Sequence, residues 1–396
     1  MNSKSLKSLL VVLVCVVAIV LSGCGKKDPH KIDVPNVPVY KVAGSQYTSW
    51  SPFFAASEIK KNGDTLCDGR EGYWAGAEKR RGVDLVITDN DYDACLTAFG
   101  NGKADFITVT NMDILTLCGG IDSVALFPTS NSFGGDGAVV TADITDINDL
   151  IGVPVRGLEK SVSEYTFWRK IDNDGRDRKG FIFENLPPTA AAPAMIQQTK
   201  GHKAAVLWNP EKLQVLAQLE GSHVLFDSKE IPGEIIDMMV ASKKSLSRPK
   251  AENAVLALME IFYTFCELVA DKSTQQETLA ALGRNCFDKT VPEIKIMVEQ
   301  SRFFPTPTQG ISLFEGGCAF PWKANATDPT TLFSDAGFDP KGYAVTDKTL
   351  KDVMPLVYKY FDDFGCLEDK PTVGYGAGAQ GDLVFNASYM KKYIIQ

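Results

Sequence analysis

Side chains able to hold a small solute lie where apolar, strand-like segments of this sequence end. In open α/β sheets the ligand is held by loops at the carboxyl ends of strands, where helix N-termini also point. Applied here, that rule selects the following candidate ligand-binding residues: Trp50, Ser51, Asp91, Tyr92, Thr110, Asn111, Asp113, Asp136, Ser161, Ser163, Glu164, Trp208 and Asn209. Because the loops that carry them occupy the same topological position after separate strands, we expect these residues to line one cleft between two lobes.

The chemistry of this set is aromatic and acidic. Trp and Tyr rings attract cations to their faces, and carboxylates pair with positive charge. Arg156 is the only Lys or Arg in these loops, whereas they carry several acids, among them Asp136 and Glu159. The set therefore favours a small cation or a neutral nitrogen-rich solute over an anion, which would need Arg, Lys or several backbone donors.

Each candidate also has a purely structural interpretation. Asp91 and Ser161 are residue types that favour helix N-caps, and Asp113 could be a first-turn carboxylate stabilised by the helix dipole. Trp50 and Trp208 could be core aromatics. The small polar neighbours of Trp50 and the Asn-Pro after Trp208 favour the cleft for both.

Common catalytic and metal-binding patterns are absent from the sequence. It contains no G-x-S-x-G, no H-E-x-x-H and no P-loop, and its glycine-rich stretch 374–378 is expected in a late loop without the strand-to-helix context of a phosphate site. Three histidines and no C-x-x-C argue against a zinc site. We expect no enzymatic activity, no metal and no cofactor.

Composition narrows the function further. A net charge of -8 without a basic block beyond the first residues argues against nucleic-acid binding. Hydrophobic residues make up 44% of the chain, which is enough for real cores. We expect a globular protein beyond its N-terminal segment.

The elements that must position the candidates follow from periodicity. Strand-like and helix-like segments alternate twice, which predicts two α/β lobes with largely parallel sheets at 39–138 and 139–240. From 241 to 396 the apolar spacing is mainly helical, at 250–270, 273–283, 291–301 and 347–363. We expect this last region to pack back on the lobes.

The N-terminus carries an export signal. Lys4 and Lys7 precede an apolar run, 9–21, that ends in small residues, as a secretory signal does. Leu21-Ser22-Gly23-Cys24 resembles a bacterial lipobox, which implies that 1–23 is removed and that Cys24 is acylated, as with palmitate. The polar, proline-marked segment 24–38 then serves as a tether. An ordinary signal peptide or a short membrane anchor is the alternative.

Seven further cysteines follow Cys24. Because this number is odd in a compartment where disulfides form, at least one should be free, and the pairing stays open.

A series of motifs along the chain carries a family resemblance. Tyr47–Trp50, Gly82–Leu85 with Asp91-Tyr92, and Gly102–Asp105 running into Val109–Asp113 are similar to substrate-binding lipoproteins of ABC importers of the nitrate/sulfonate/taurine and thiamine-precursor-like family. Trp208-Asn209-Pro210 and Ile231–Asp237 resemble a branch associated with urea or guanidine uptake. The similarity covers about residues 39 to 245, and the segment 69–74 departs from it.

This resemblance implies a type II periplasmic-binding-protein fold, in which two α/β lobes joined by a hinge close on one solute, with a C-terminal helical region added. It also implies an exported, membrane-anchored monomer that delivers a small molecule to an ABC permease and its ATPase.

The resemblance and the acidic loops together favour a guanidine- or urea-like ligand. The alternatives are a small anion such as nitrate, sulfonate or taurine, a thiamine pyrimidine precursor, an enzyme that reuses the fold, and an adhesin or structural lipoprotein.

Overall fold

The computed structural model describes residues 37–59, 72–315, 326–335, 350–367 and 369–396. The leader, Cys24, nearly all of the tether, and two other cysteines, Cys67 and Cys318, lie outside the described residues. The expectations of export and acylation therefore stay predictions.

The first sheet has seven strands in the order β11-β12-β4-β10-β3-β1-β2. Their bounds are β1 Val39–Gly44, β2 Asp84–Asp89, β3 Phe106–Thr110, β4 Ser123–Asn131, β10 Ile236–Ser242, β11 Val373–Tyr375 and β12 Leu383–Phe385. Strand β1 is parallel to β2 and β3, whereas β10 runs antiparallel to both β3 and β4.

The second sheet has five strands in the order β7-β6-β8-β5-β9. Their bounds are β5 Gly137–Val140, β6 Pro154–Gly157, β7 Ile182–Asn185, β8 Ala204–Leu207 and β9 His223–Asp227. Strand β6 is parallel to β7 and β8, but β5 is antiparallel to β8 and β9. Both sheets are therefore mixed but still largely parallel, as predicted: among the described strands only β5 and β10 run against the others, because these two enter their sheets directly from the other lobe and not through a crossover helix.

Helices fill the connections and most of the C-terminal region. Their bounds are Pro52–Ala55, Tyr73–Arg81, Tyr92–Gly100, Asp113–Cys118, Val162–Asn173, Pro188–Ile196, Glu211–Gln218, Lys243–Leu246, Ala251–Ala270, Gln275–Arg284, Val291–Ser301, Pro307–Phe314, Pro329–Leu332, Leu350–Asp363 and Ser388–Ile395. The helices expected at 250–270 and 291–301 agree with these bounds to within one residue.

Helix Ala251–Ala270 is the centre of the larger core. By length and composition it could cross a membrane, but 78% of its most apolar window is buried inside the protein. Phe262 of this helix packs against Phe53, Phe127 and Phe303 with ring centroids 5.9, 5.8 and 6.2 Å away. The helical region is thus joined to the first lobe through a shared hydrophobic core.

Two connectors, 132–136 and 228–235, join the sheets and are bonded to each other. Ser132 N donates to the Ile235 carbonyl at 3.0 Å, and Ser228 N donates to the Asp136 carbonyl at 2.9 Å. The Ser132 and Ser228 hydroxyls are 2.8 Å apart. This paired crossing is the hinge between the lobes. After the hinge, β10 returns to the first sheet, and the region after 241 adds β11 and β12 to the same sheet.

The glycine-rich stretch 374–378 starts within β11 and continues into the turn before β12. The expectation that it lies wholly in a loop with no strand before it was therefore wrong. Strand β12 and not a helix comes next, so the stretch has no helix N-terminus to hold a phosphate.

The five described cysteines, Cys95, Cys118, Cys266, Cys286 and Cys366, are buried and none is in a disulfide.

Candidate functional site

A cavity lies between the two lobes, beside the hinge. Its volume is about 70 Å³, counted as space for the centres of water-sized groups. At roughly 10–15 Å³ for each such group, it has room for about five, the scale of a very small solute. Its walls are formed by Tyr47, Thr48, Ser49, Trp50, Tyr92, Thr110, Ser132, Gly135, Asp136, Val162, Trp208, Asn209, Ile235, Asp237 and Ser301.

Four aromatic side chains form a cage around this cavity. Tyr47, Trp50 and Tyr92 belong to the first lobe, where the Trp50 and Tyr92 rings are 5.3 Å apart. Trp208 comes from the second lobe and meets Tyr47 at 5.8 Å and Tyr92 at 6.3 Å, both nearly edge-on. Because these contacts cross the cleft, the lobes are closed on each other. Together these four residues are called the aromatic cage below.

Local structure explains how the first lobe presents its part of the cage. Residues Tyr47 to Ser51 form a tight turn, in which the Tyr47 carbonyl accepts hydrogen bonds from Trp50 N at 2.9 Å and Ser51 N at 2.8 Å. Pro52 then starts a short helix, a position that suits its fixed φ. Trp50 Nε1 is buried and has no hydrogen-bond partner within the described part of the chain. That donor is available to a ligand.

Two carboxylates, Asp136 and Asp237, line the cavity directly. Asp237 Oδ2 accepts hydrogen bonds from Ser49 Oγ at 2.9 Å and Ser130 Oγ at 2.5 Å. Burial raises the pKa of Asp237 to about 7 despite these two donors, and the neighbouring charge of Asp136 adds to the shift. Burial likewise raises the pKa of Asp136 to about 6.

A third carboxylate lies directly behind the cage. Asp113 Oδ2 accepts hydrogen bonds from Tyr92 Oη at 2.7 Å and Thr110 Oγ1 at 2.9 Å. Its other oxygen, Oδ1, is buried without a hydrogen-bond partner among the described residues. Burial raises the pKa of Asp113 to about 6. Tyr92 is thereby fixed by an acid that also adds negative potential to the cavity.

Positive charge does not balance these acids at the cavity wall. No Lys or Arg lines the cavity within the described ranges. Lys212 is buried nearby, and burial lowers the pKa of its amine to about 8. Its Nζ donates to the Gly134 carbonyl and, at 3.1 Å, to Gln300 Oε1. The cavity therefore has an excess of carboxylates over cations.

The C-terminal region completes the base of the cavity. Gln300 Oε1, near the end of helix Val291–Ser301, accepts a hydrogen bond from Asn209 Nδ2 at 2.7 Å as well as the one from Lys212. Gln300 O also accepts from Phe133 N in the hinge at 2.8 Å. One glutamine thus links the hinge to the wall contributed by the second lobe.

The structure brings six of the candidates to the cavity wall, and they come from both lobes: Trp50, Tyr92, Thr110, Asp136, Trp208 and Asn209. Asp113 lies behind them. Asn111 points away and braces β10, donating to the Glu234 carbonyl at 3.1 Å and accepting from Ile236 N at 2.8 Å.

Five candidates lie outside the cavity wall: Ser51, Asp91, Ser161, Ser163 and Glu164. Ser161 caps helix Val162–Asn173 by accepting from Ser163 N, so its capping interpretation holds. Glu164 accepts from Lys160 N at 2.8 Å. Because a helix presents only part of its first turn to one side, Val162 and not its polar neighbours faces the cavity. Asp91 is exposed at the mouth and its side chain makes no cap hydrogen bond.

Sequence reasoning did not name nine of the cavity-wall residues as individual site residues: Tyr47, Thr48, Ser49, Ser132, Gly135, Val162, Ile235, Asp237 and Ser301. Asp237 had a signal, since it is an acid within the apolar strand Ile236–Ser242. Ser301 ends a helix that the pattern assigned to the C-terminal region, and nothing local in the sequence indicates that this helix reaches the cleft.

No group of three or more His, Cys, Asp or Glu side chains in the described part of the chain is placed to hold a metal ion.

Comparison with known proteins identifies the fold. No protein-family model matches the chain, and no curated protein sequence matches it. Among solved structures, the sulfonate-binding SsuA of a putative sulfonate ABC transporter from Methylobacillus flagellatus KT is 12% identical, with a TM-score of 0.56 over 92% of this chain and 97% of that one.

Two further structures are similar. The periplasmic aliphatic sulphonate-binding protein SsuA from Escherichia coli is 18% identical, with a TM-score of 0.53 over 67% of this chain and 84% of its own. The periplasmic nitrate-binding protein NrtA from Synechocystis PCC 6803 is 12% identical, with a TM-score of 0.52 over 92% and 90%. The predicted fold class is confirmed: the chain has the two-lobed periplasmic-binding-protein fold.

Proposed function

We propose that the protein is an extracytoplasmic solute-binding protein of an ABC importer. It captures a small nitrogen-containing solute, a guanidine- or urea-like cation or neutral compound, between its lobes and delivers it to a permease. The observation that carries this proposal is the cavity beside the hinge, walled by an aromatic cage from both lobes and by more carboxylates than cations. A lipid on Cys24 and the tether 24–38 would keep such a receptor at the membrane while its lobes move.

Wall residues from both lobes support solute binding as the role of this cavity. A ligand shifts a two-state equilibrium only by its different affinities for the two states, so both lobes must contribute contacts. The first lobe contributes Trp50 and Asp237, and the second contributes Trp208 and Asn209. A solute held between them stabilises the closed form.

Charge supports a cation or a polar nitrogen compound. Burial raises the pKa values of Asp136 and Asp237, because ionising a buried carboxyl is costly unless a counter-ion is near; Lys212 partly offsets this for Asp136, and the charge of Asp136 adds to the shift of Asp237. A guanidinium supplies that counter-ion, donates hydrogen bonds to carboxylates in its plane and presents its face to Trp or Tyr rings. Urea has the same planar shape and could donate to the same oxygens.

A small anion is the second candidate. The fold similarity to sulfonate- and nitrate-binding proteins favours it. With pKa values of about 6 to 7, the cavity acids are partly protonated near neutral pH and could then donate hydrogen bonds to an anion. The two candidates therefore differ in the direction of their pH dependence.

We also propose that the protein does not turn its ligand over. Neither His202 nor His223 lines the cavity. Cys286, which is buried near Ser51 and Thr48, has a thiol pKa raised by burial to about 12, which disfavours a reactive thiolate.

Isothermal titration of the mature chain without its lipidated cysteine tests the proposal. The probes are guanidinium, urea, taurine, nitrate and a hydroxymethylpyrimidine, and NMR of the recovered ligand tests for turnover. Saturable binding of guanidinium or urea, with the ligand recovered unchanged, is expected. Selective binding of taurine or nitrate would replace the cation by the anion, and a chemically altered ligand would establish an enzyme.

A further inference from the structure

A second cavity adjoins the caged one on its outer side. Its volume is about 290 Å³, again as space for water-sized groups, and it is lined by Ser45, Gln46, Tyr47, Asp89, Asn90, Asp91, Thr189 and Phe287. Thr189 comes from the second lobe, so this chamber also spans the cleft. Tyr47 lines both cavities and is therefore the wall between them.

Phe287 holds that wall from outside. Its ring centroid is 5.3 Å from that of Tyr47, yet the residue is 40% exposed. Because this apolar side chain lies at the surface against a cavity wall, it is not part of the hydrophobic core.

The backbone around Phe287 is strained. Phe287 and Asp288 have φ values of +54° and +53°. These are consecutive left-handed backbone conformations, which residues other than glycine rarely adopt. Such conformations cost energy and persist only where the surrounding structure enforces them, commonly at functional sites.

Contacts at the base of the loop 283–289 hold the backbone in these conformations. The Gly283 carbonyl accepts hydrogen bonds from Cys286 N at 3.1 Å and Lys289 N at 2.8 Å. A Cβ added to Gly283 would lie 2.0 Å from the Lys289 carbonyl oxygen, so the loop closes only over a glycine. The side chain of Cys286 is buried beneath it. Phe287 is thus held at one place by a loop fixed at both ends.

We propose that Tyr47 and Phe287 form the gate of the caged cavity and that the acidic outer chamber is the route by which a cation reaches it. The proposal rests on the proposed function, since a gate needs a solute. Swinging the Tyr47 ring aside opens one cavity to the other, and the contact with Phe287 opposes that movement. Asp89 and Asp91 give the chamber a negative potential, which concentrates cations ahead of the gate and is screened by salt.

Rapid-mixing kinetics test the gate with guanidinium as the probe and tryptophan fluorescence as the signal. In Phe287→Ala, we expect association and dissociation rates to rise together by about tenfold while Kd changes by less than about twofold, because a gate alters the barrier and not the bound state. Ile296→Ala, which removes an apolar side chain that is 46% exposed elsewhere, is the matched control and should leave both rates unchanged. A rise in dissociation alone would make Phe287 a ligand contact, and unchanged rates would also overturn the gate.

Collisional quenching tests the same gate without a ligand. At constant ionic strength, Phe287→Ala should at least double acrylamide quenching of the cage tryptophans, and the increase should vanish when Trp50 and Trp208 are both changed to Phe. Asp89→Asn with Asp91→Asn should lower quenching by caesium relative to acrylamide. Failure of every probe to bind would refute the proposed function alone, whereas unchanged quenching in Phe287→Ala would refute the gate even if guanidinium binds.

Discussion

Replacing Asp237 by Asn gives the sharpest test of the charge argument. The side chain keeps its shape and one oxygen to accept from Ser49 and Ser130, but it loses its negative charge. A hydrogen bond to a charged group is worth about 1.5–3 kcal/mol, and 1.4 kcal/mol is about tenfold in affinity, so guanidinium should bind roughly 10- to 150-fold more weakly at pH 8.

The pH dependence follows from the pKa of Asp237, which burial raises to about 7. A cation binds the ionised form, so binding releases the proton that the free protein holds below that pKa. Such a carboxyl is about nine-tenths protonated at pH 6 and about one-tenth at pH 8, so affinity in the unmodified protein should fall about tenfold between pH 8 and pH 6. In Asp237→Asn only the smaller contributions of Asp113 and Asp136 remain, because their pKa values are about 6.

Stability gives an internal control on the same variant. A carboxyl whose folded-state pKa is raised destabilises the fold as pH rises from its unfolded pKa near 4 through about 7. Asp237→Asn should therefore raise the melting temperature of the ligand-free protein at pH 8 and change it little at pH 4. This outcome separates loss of a charge from loss of the fold.

The assay is isothermal titration with guanidinium at pH 6, 7 and 8, with Asp122→Asn as the control, since that carboxylate is exposed and does not line the cavity. Affinity that increases towards pH 6, or tighter binding in Asp237→Asn, would refute the cation and support an anion that prefers protonated acids. Urea, which has no charge, should depend on pH less than guanidinium does.

Three further predictions concern the cage, the base of the cavity and the hinge. Trp208→Ala removes the ring contributed by the second lobe and should weaken guanidinium binding about 30-fold by titration, since a desolvated cation–π contact is worth about 2 kcal/mol. Trp208→Phe should lose less affinity. Equal affinity in all three proteins would contradict the cage. Gln300→Leu removes the oxygen that accepts hydrogen bonds from Asn209 and Lys212, so we expect faster ligand dissociation in rapid mixing and a lower melting temperature. An unchanged dissociation rate would argue against a link between this residue and closure. Glu234→Gln breaks a buried pair in which Arg169 donates to both carboxylate oxygens at 2.8 and 2.7 Å, and should cost about 3–5 kcal/mol of unfolding free energy in urea. Lys203→Met, which breaks an exposed ion pair, should cost much less in the same measurement.

Local patterns were enough to place six of the fifteen residues at the cavity wall. Trp50, Tyr92, Thr110 and Trp208 each end a strand-like segment or open the helix after it, and the strand-end rule depends only on that order. The same rule failed for Ser161 and Ser163, because it gives the end of the sheet but not the side of the helix that faces the cleft. That side depends on how the helix packs.

The antiparallel strands show the limit of such patterns most clearly. Strand β10 looked like the last strand of the second lobe, but its register with β3 and β4 places it in the first. Asp237 therefore enters the cavity wall beside Ser49, which lies 188 residues away along the chain. Pairing over such a distance is decided by burial of both faces of a sheet and leaves no local trace.

The sequence by itself determined the alternation of strands and helices, the fold class and the aromatic and acidic character of the strand-end loops, because these depend on residue type and near-neighbour spacing. Only the tertiary structure decided that Trp208 meets Tyr47 and Tyr92 across the cleft and that a returning strand brings Asp237 beside Asp136. It also decided that helix Val291–Ser301 reaches the caged cavity through Ser301 and that the loop before this helix reaches the outer chamber through Phe287. Each of these depends on contacts between segments far apart in the chain, where the free energy of packing selects one arrangement among many that the local pattern allows.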